Sequence, residues 1–182
     1  RENEAAITEK AWREEWIQPR SYERNGKRVA VIGAGPAGLT AANRLNHMGY
    51  QVTVLDKNEA AGGLLRYGIP NFKLNKAVID RRIRWMVAEG VEFQYQQDID
   101  EKALLQLAEE YDAVAVATGT PVARDLPIPG RELKGVHLAL ELLAQQNRVL
   151  AGMEFEKEER VTCKDKNVLV IGGGETGSHC IG

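Results

Sequence analysis

Only two cysteines, Cys163 and Cys180, occur in the 182 residues. They lie far apart without CxxC spacing, so alone they build neither a zinc site nor an iron–sulfur cluster. The same scarcity speaks against the dithiol chemistry of disulfide reductases, which needs two neighbouring thiols. Two reduced thiols are the expectation for a cytoplasmic chain, with a Cys163–Cys180 disulfide as the alternative. Long apolar runs are missing as well. None approaches the roughly 20 residues that cross a membrane, and the charged amino end is not followed by the apolar core of a signal peptide. A cytoplasmic protein with no membrane partner is expected. An excess of one charge is also absent: the net charge of −2 argues against a general polyanion-binding surface. The densest basic stretch, Asp80-Arg81-Arg82-Ile83-Arg84, falls on a predicted helix over 76–89. There Ile79, Ile83 and Met86 share one face and the arginines form a solvated one, so no nucleic acid partner is expected.

Glycine is arranged in a telling way. "VIGAGPAGLTAANRL" (31–45) and "VIGGGETGSHCIG" (170–182) each bring a strand-like run into a GxGxxG turn. Around the first turn, 28–32 reads as a buried strand, 36–48 as a helix with Leu39, Ala42 and Leu45 at helical spacing, and 51–56 as the next strand. That is a complete βαβ unit ending in an acidic residue, Asp56, at the spacing of the dinucleotide fingerprint. Each residue type has a mechanical reason. Gly33 permits the strand-to-helix turn, Gly35 lets backbone approach a pyrophosphate, and Gly38 lets helix pack on strand. The N–H groups opening the helix favour the diphosphate, and Asp56 is placed to accept from an adenosine ribose.

The rest of the chain alternates strands and helices. "AITEKAWREEWIQP" (6–19) reads as a helix up to Pro19, with Trp12 and Trp16 as an i,i+4 pair, and Asn25-Gly26 supplies a turn before the first strand. "EAAGGLLRYGIPNFKLNK" (59–76) shows no helical periodicity until its end, and Pro70 blocks a helix across it. Val91, Phe93 and Tyr95 alternate with polar residues as a half-buried strand, Asp100 is placed to cap a short helix, and "YDAVAVATGT" (111–120) reads as a buried strand. The Pro- and Gly-rich stretch from Pro121 to Gly135 reads as a crossover, 137–151 as a helix, and 167–171 as the first strand of a second unit. A doubly wound parallel α/β sheet, Rossmann-like, is therefore predicted, followed by the beginning of a second such unit.

The ordered series "VIGAGPAGL", "GGLLRYGIPNFKL", "DAVAVATGT", "LPIPGRELKGVH" and "VIGGGETGSHC" resembles the small (beta) subunit of bacterial glutamate synthase and its flavoprotein relatives. The glycine turns alone mark only a broad flavoprotein class; "RYGIPNFKL" and "IPGRELKG" narrow it. Within that class, a ferredoxin-linked NADP transhydrogenase subunit and the flavin-domain portion of a dihydropyrimidine-dehydrogenase-like enzyme remain alternatives. A dinucleotide-binding module without redox turnover is the rival of a different kind. The resemblance implies an FAD-binding domain over 26–160, with 1–25 as a linker helix from an upstream iron–sulfur module and 161–182 as the start of a truncated NADPH- or NADH-binding domain. Hydride would pass from nicotinamide to flavin, and single electrons would leave through iron–sulfur clusters toward the glutamate synthase large subunit. No acid–base side chain is required, and no catalytic residue or protein-held metal is assigned. A piece of this extent is expected to fold but to be inactive alone.

The resemblance further implies FAD contacts from Gly33, Gly35, Pro36, Ala37 and Gly38 at the pyrophosphate and from Asp56 at the ribose. Lys57, Gly63 and Leu64 continue that surface, with Lys73, Ile99, Thr118 and Gly119 lining the same pocket. In the second turn, Gly172, Gly174, Glu175, Thr176 and Gly177 are implied for the nicotinamide dinucleotide. Asp56 stands where the family usually has Glu, and Glu175 and His179 stand where it usually has aspartates. His179 thereby replaces an obligate anion with a titratable group.

Overall fold

A computed structural model describes residues 2–120, 122–156 and 160–182; Pro121, which opens the expected crossover, lies outside them. Four parallel strands, β1 (Arg28–Ile32), β2 (Gln51–Leu55), β3 (Glu92–Gln94) and β4 (Ala113–Val116), are arranged β3-β2-β1-β4. Seven helices accompany them among the described residues: α1 (Glu2–Arg13), α2 (Pro36–His47), α3 (Leu64–Tyr67), α4 (Lys76–Ala88), α5 (Glu101–Glu110), α6 (Ala139–Leu150) and α7 (Glu175–Ile181).

Strand alternation divides the core between the two faces of the sheet. Val31, Val52 and Val54 point one way and meet Ala42 of α2 and Met86 of α4, with Leu39, Leu45 and Ile83 closing the edges. Ala30, Ile32 and Leu55 point the other way and meet Leu107 of α5 and Tyr111. Helices on both faces of a parallel sheet make the doubly wound arrangement that the alternation predicted. Met86 is fully buried, as its position on the apolar stripe of 76–89 required. Asp100 caps α5 by accepting from the Ala103 N–H at 2.8 Å.

Four elements differ from the sequence reading. The first helix stops at Arg13, Glu15 takes a φ of +57°, and Trp16 is left exposed beyond the helix end. Trp12 instead meets Trp85 edge-on at 6.5 Å, while Arg81 binds Glu9 through two hydrogen bonds of 2.6 and 2.8 Å. The basic stretch of α4 thus partly serves to dock α1. The segment after β2 contains a helical turn, α3, too short to carry a periodicity signal. β4 is not a fully buried strand: among the described residues it pairs only with β1, and Val116 is 65% exposed. Residues 167–171 form no strand. A strand exists only beside a partner that takes up its backbone groups; none stands there among the described residues, and Leu169 is 84% exposed.

A buried polar knot fastens the stretch before β1. Glu89, at the end of α4, accepts from the Arg20 N–H at 3.0 Å and from the Tyr22 hydroxyl at 3.3 Å, and its other oxygen lies 3.1 Å from His47 Nε2. Arg24 donates to Asn46 Oδ1 and the Tyr50 carbonyl, each at 2.7 Å.

Candidate functional site

The carboxyl end of β1 is flanked by β2 and β4, so chain order reverses there. The crevice above such a reversal is where open α/β sheets receive ligands. β1 runs into Gly33, whose N–H donates to the Leu55 carbonyl at 2.7 Å and whose φ is +107°. A Cβ on Gly33 would collide with the Ala117 carbonyl beyond β4, and one on Gly38 would collide with the Gly33 carbonyl. These two glycines are demanded by the protein's own packing.

Gly35 is different. Its φ of −76° and ψ of −179° suit any residue, and an added Cβ would meet only Gly63 Cα, at 4.0 Å. Nothing among the described residues requires the side chain to be missing. Pro36 and Ala37 open α2, which no side chain caps and whose first turn carries no acidic residue. Its first N–H groups and the positive end of its dipole are thus available to an anion.

The second wall comes from the loop after β2. Gly62 N–H donates to the Ala34 carbonyl at 2.8 Å, and Gly63, at a φ of +50°, brings its backbone so close that a Cβ would stand 2.8 Å from Gly35 Cα. Gly35 and Gly63 together form a cradle without side chains, with Leu64 exposed at its rim. The following stretch is held by cations that gather carbonyls. Arg66 Nε donates to Ala61 O at 2.5 Å and Nη2 pairs with Asp80; Lys76 Nζ donates to the carbonyls of Leu65, Ile69 and Leu74. Burial and the nearby Arg66 charge push the Lys76 ammonium below its ordinary pKa.

Asp56 ends β2 with only 8% of its surface exposed. Its Oδ2 accepts from the Ala34 N–H at 2.6 Å, and its Oδ1 accepts from the Asn58 backbone N–H at 2.8 Å and from Asn58 Nδ2 at 2.9 Å. The carboxylate thus fixes the first glycine turn and its own loop. Lys57, beside it, is exposed. Thr118 and Gly119 are exposed just past β4, and a Cβ on Gly33 would stand 3.2 Å from Thr118 Cα.

Ile99 is half-buried and packs against the core cluster on the α5 side of the sheet. Lys73 Nζ donates to Ser178 Oγ at 3.3 Å and stands 3.8 Å from Glu175 Oε2, which places it against α7.

The second glycine turn repeats the first. Gly172 has a φ of +118°, Gly174 caps α7 at φ −81° and ψ −175°, and a Cβ on Gly177 would collide with the Gly172 carbonyl. Thr176 lies in the first turn of α7 beside Glu175, whose carboxylate is the one acidic group there. His179 Nε2 is 3.7 Å from Glu175 Oε2. Among the described residues no three His, Cys, Asp or Glu side chains converge as a metal site.

Sequence reasoning missed Asn58, Glu59, Tyr67 and Arg148. Arg148 of α6 donates to Glu59 Oε1 at 2.9 Å and to Asn58 Oδ1 at 3.1 Å and stacks over the Tyr67 ring at 4.5 Å. The partners are separated by 89 and 90 residues, and no local spacing announces them.

Two glycine turns of matching geometry, the first on a doubly wound parallel sheet, define a dinucleotide-binding oxidoreductase fold. The chain belongs to the pyridine nucleotide-disulphide oxidoreductase family, which it matches over residues 27–182. It is 47% identical, over 98% of its length, to the glutamate synthase [NADH] of Schizosaccharomyces pombe, of which it spans 9%. It is 45% identical, again over 98% of its length, to the glutamate synthase [NADPH] small chain of Mycobacterium tuberculosis, of which it spans 38%. Among solved structures it resembles FprA of Mycobacterium tuberculosis in complex with NADPH, with a TM-score of 0.60 and 25% identity over 66% of this chain and 29% of that one. No helix among the described residues is long and apolar enough to cross a membrane.

Proposed function

We propose that this chain is the flavin-binding part of a glutamate synthase small subunit, a cytoplasmic oxidoreductase that draws electrons from NADPH or NADH. The observation that carries the reading is the Gly35–Gly63 cradle at the mouth of α2, where an added Cβ on Gly35 would make no more than an ordinary contact with Gly63 Cα, at 4.0 Å. A diphosphate fits such a place because it needs close backbone, unpaired N–H donors and no competing carboxylate. The adenosine ribose fits Asp56: its Oδ2 keeps a lone pair beyond the one given to Ala34, while Oδ1 is filled by the two bonds from Asn58. Residues Gly33 and Gly38 shape the turn, Pro36 and Ala37 present the helix mouth, and Thr118 and Gly119 border it.

FAD bound there would supply two-electron acceptance from the nicotinamide and one-electron release toward iron–sulfur centres and a glutamate synthase large subunit. The chain's residues hold, orient and electrostatically tune; none is required to move a proton. Gly172, Gly174, Thr176 and Gly177 would position the nicotinamide dinucleotide, supported by their match to the first turn. The large subunit is supported by relatives that are named small chains, and the iron–sulfur path only by the resemblance of residues 1–25 to a linker helix. Purification of the intact protein followed by flavin extraction tests the reading: FAD at one per chain is expected, and FMN or no flavin refutes it.

A further inference from the structure

Resting on the FAD reading, we propose that Arg148 is a positioning residue for the ribose end of that site, acting through Asn58 on Asp56. One guanidinium reaches two neighbours of Asp56: Nη2 donates to Asn58 Oδ1 at 3.1 Å and Nε to Glu59 Oε1 at 2.9 Å. Asn58 in turn donates its Nδ2 to Asp56 Oδ1 at 2.9 Å. An amide has one acceptor and one donor end, so the bond from Arg148 to the carbonyl end fixes which end faces Asp56. Without it the carbonyl end of the amide loses its anchor, and Asn58 Nδ2 is no longer held against the carboxylate.

The fork is itself held in place. Its plane lies over the Tyr67 ring at 4.5 Å, and Tyr67 is only 7% exposed. The preceding residue on α6, Asn147, donates to the Tyr67 carbonyl at 3.0 Å. Burial is the largest single influence and would raise the Glu59 pKa, but the hydrogen bond and charge of Arg148, with hydrogen bonds from the backbone and from Tyr67, together outweigh it and hold the carboxyl below its usual range. α6 also grips the chain beyond it, because Gln145 donates to the Val161 carbonyl at 2.8 Å and accepts from the Val161 N–H at 2.9 Å. The crossover helix is thereby fastened both to the Asp56 loop and to the approach to the second glycine turn.

The test uses apoprotein prepared from the intact protein and titrated with FAD and with FAD carrying 2′-deoxyadenosine, followed by flavin fluorescence. Wild type is expected to prefer FAD by about tenfold, as befits a hydrogen bond to a charged group. Arg148→Met should lower that preference at least about threefold, Asn58→Ala should lower it similarly, and the double variant should go no further because the two act in series. Loss of stability alone would weaken both ligands equally and leave the ratio unchanged. A wild-type ratio in Arg148→Met overturns the proposal. Should that variant not fold, Asn58→Ala decides: a lowered ratio upholds the proposal and an unchanged one overturns it. Wild-type apoprotein that binds neither flavin overturns the FAD reading and this proposal with it, whereas a ribose preference kept in the variants overturns this proposal alone.

Discussion

Replacing Gly35 with alanine separates ligand binding from folding better than any other change in the first glycine turn. The backbone at Gly35 is already in a conformation open to alanine, and the new methyl would have only Gly63 Cα within reach, at 4.0 Å. Stability should therefore stay within about 0.5 kcal/mol of wild type or rise by up to about 1 kcal/mol, because alanine restricts the unfolded chain. A diphosphate lying against that backbone would be displaced from the N–H groups of α2. Losing one charge-assisted hydrogen bond costs about 1.5–3 kcal/mol, equivalent to roughly 10- to 100-fold in FAD affinity. Gly38→Ala is the contrasting control. Its methyl would be driven into the Gly33 carbonyl, so it should destabilise the fold by about 1–3 kcal/mol or more. The assay pairs urea unfolding with FAD titration of apoprotein for both variants. Gly35→Ala with undiminished FAD affinity, or with a stability loss matching that of Gly38→Ala, would refute the reasoning.

Asp56→Ala should weaken FAD binding and also destabilise the protein by about 1–3 kcal/mol, since the buried Ala34 N–H loses its acceptor; intact stability by urea unfolding would contradict that double role. Glu89→Ala should release residues 20–22, because the carboxylate that holds Arg20 N–H and the Tyr22 hydroxyl is gone; faster tryptic cleavage at Arg20 is expected, and an unchanged digest counts against the knot. The depressed Glu59 pKa makes a pH prediction. A carboxyl whose folded pKa lies below its unfolded one adds stability that is complete above about pH 4.3 and is lost as pH falls through the folded value. Wild type should therefore exceed Glu59→Gln in stability by a constant amount from neutral pH down to mild acid, and the difference should shrink below that window. A difference that grows on acidification has the wrong sign.

Much of this architecture could be read from local patterns, because β1, α2 and β2 each satisfy a short-range rule. Val31, Val52 and Val54 alternate, Leu39, Ala42 and Leu45 recur at helical spacing, and Gly33, Gly35 and Gly38 mark the turn between them. The Asp100 cap and the buried Met86 were equally legible. What escaped was non-local. Residues 167–171 carry a strand composition, yet pairing decides whether a strand exists, and Leu169 is exposed. Val116 looked like core, but among the described residues β4 has a neighbour on one side only. Lys73 lies in a signature stretch whose side-chain direction depends on α7, 105 residues from it at Ser178. Arg148 reaches Asp56 only through Asn58, across a separation of 90 residues. The sequence also could not distinguish the glycines that packing demands from the one that it does not; the space around Gly35 had to be seen.

Anaerobic reduction of the intact protein bears most directly on the central claim, that the first glycine turn holds a flavin served by a nicotinamide dinucleotide. Purified protein should carry the visible absorption band of oxidised FAD, and adding NADPH or NADH without oxygen should bleach it, while Gly35→Ala, equally folded, should carry a clearly smaller band. A flavin that neither nucleotide reduces, or a Gly35→Ala protein that bleaches like wild type, would contradict the account.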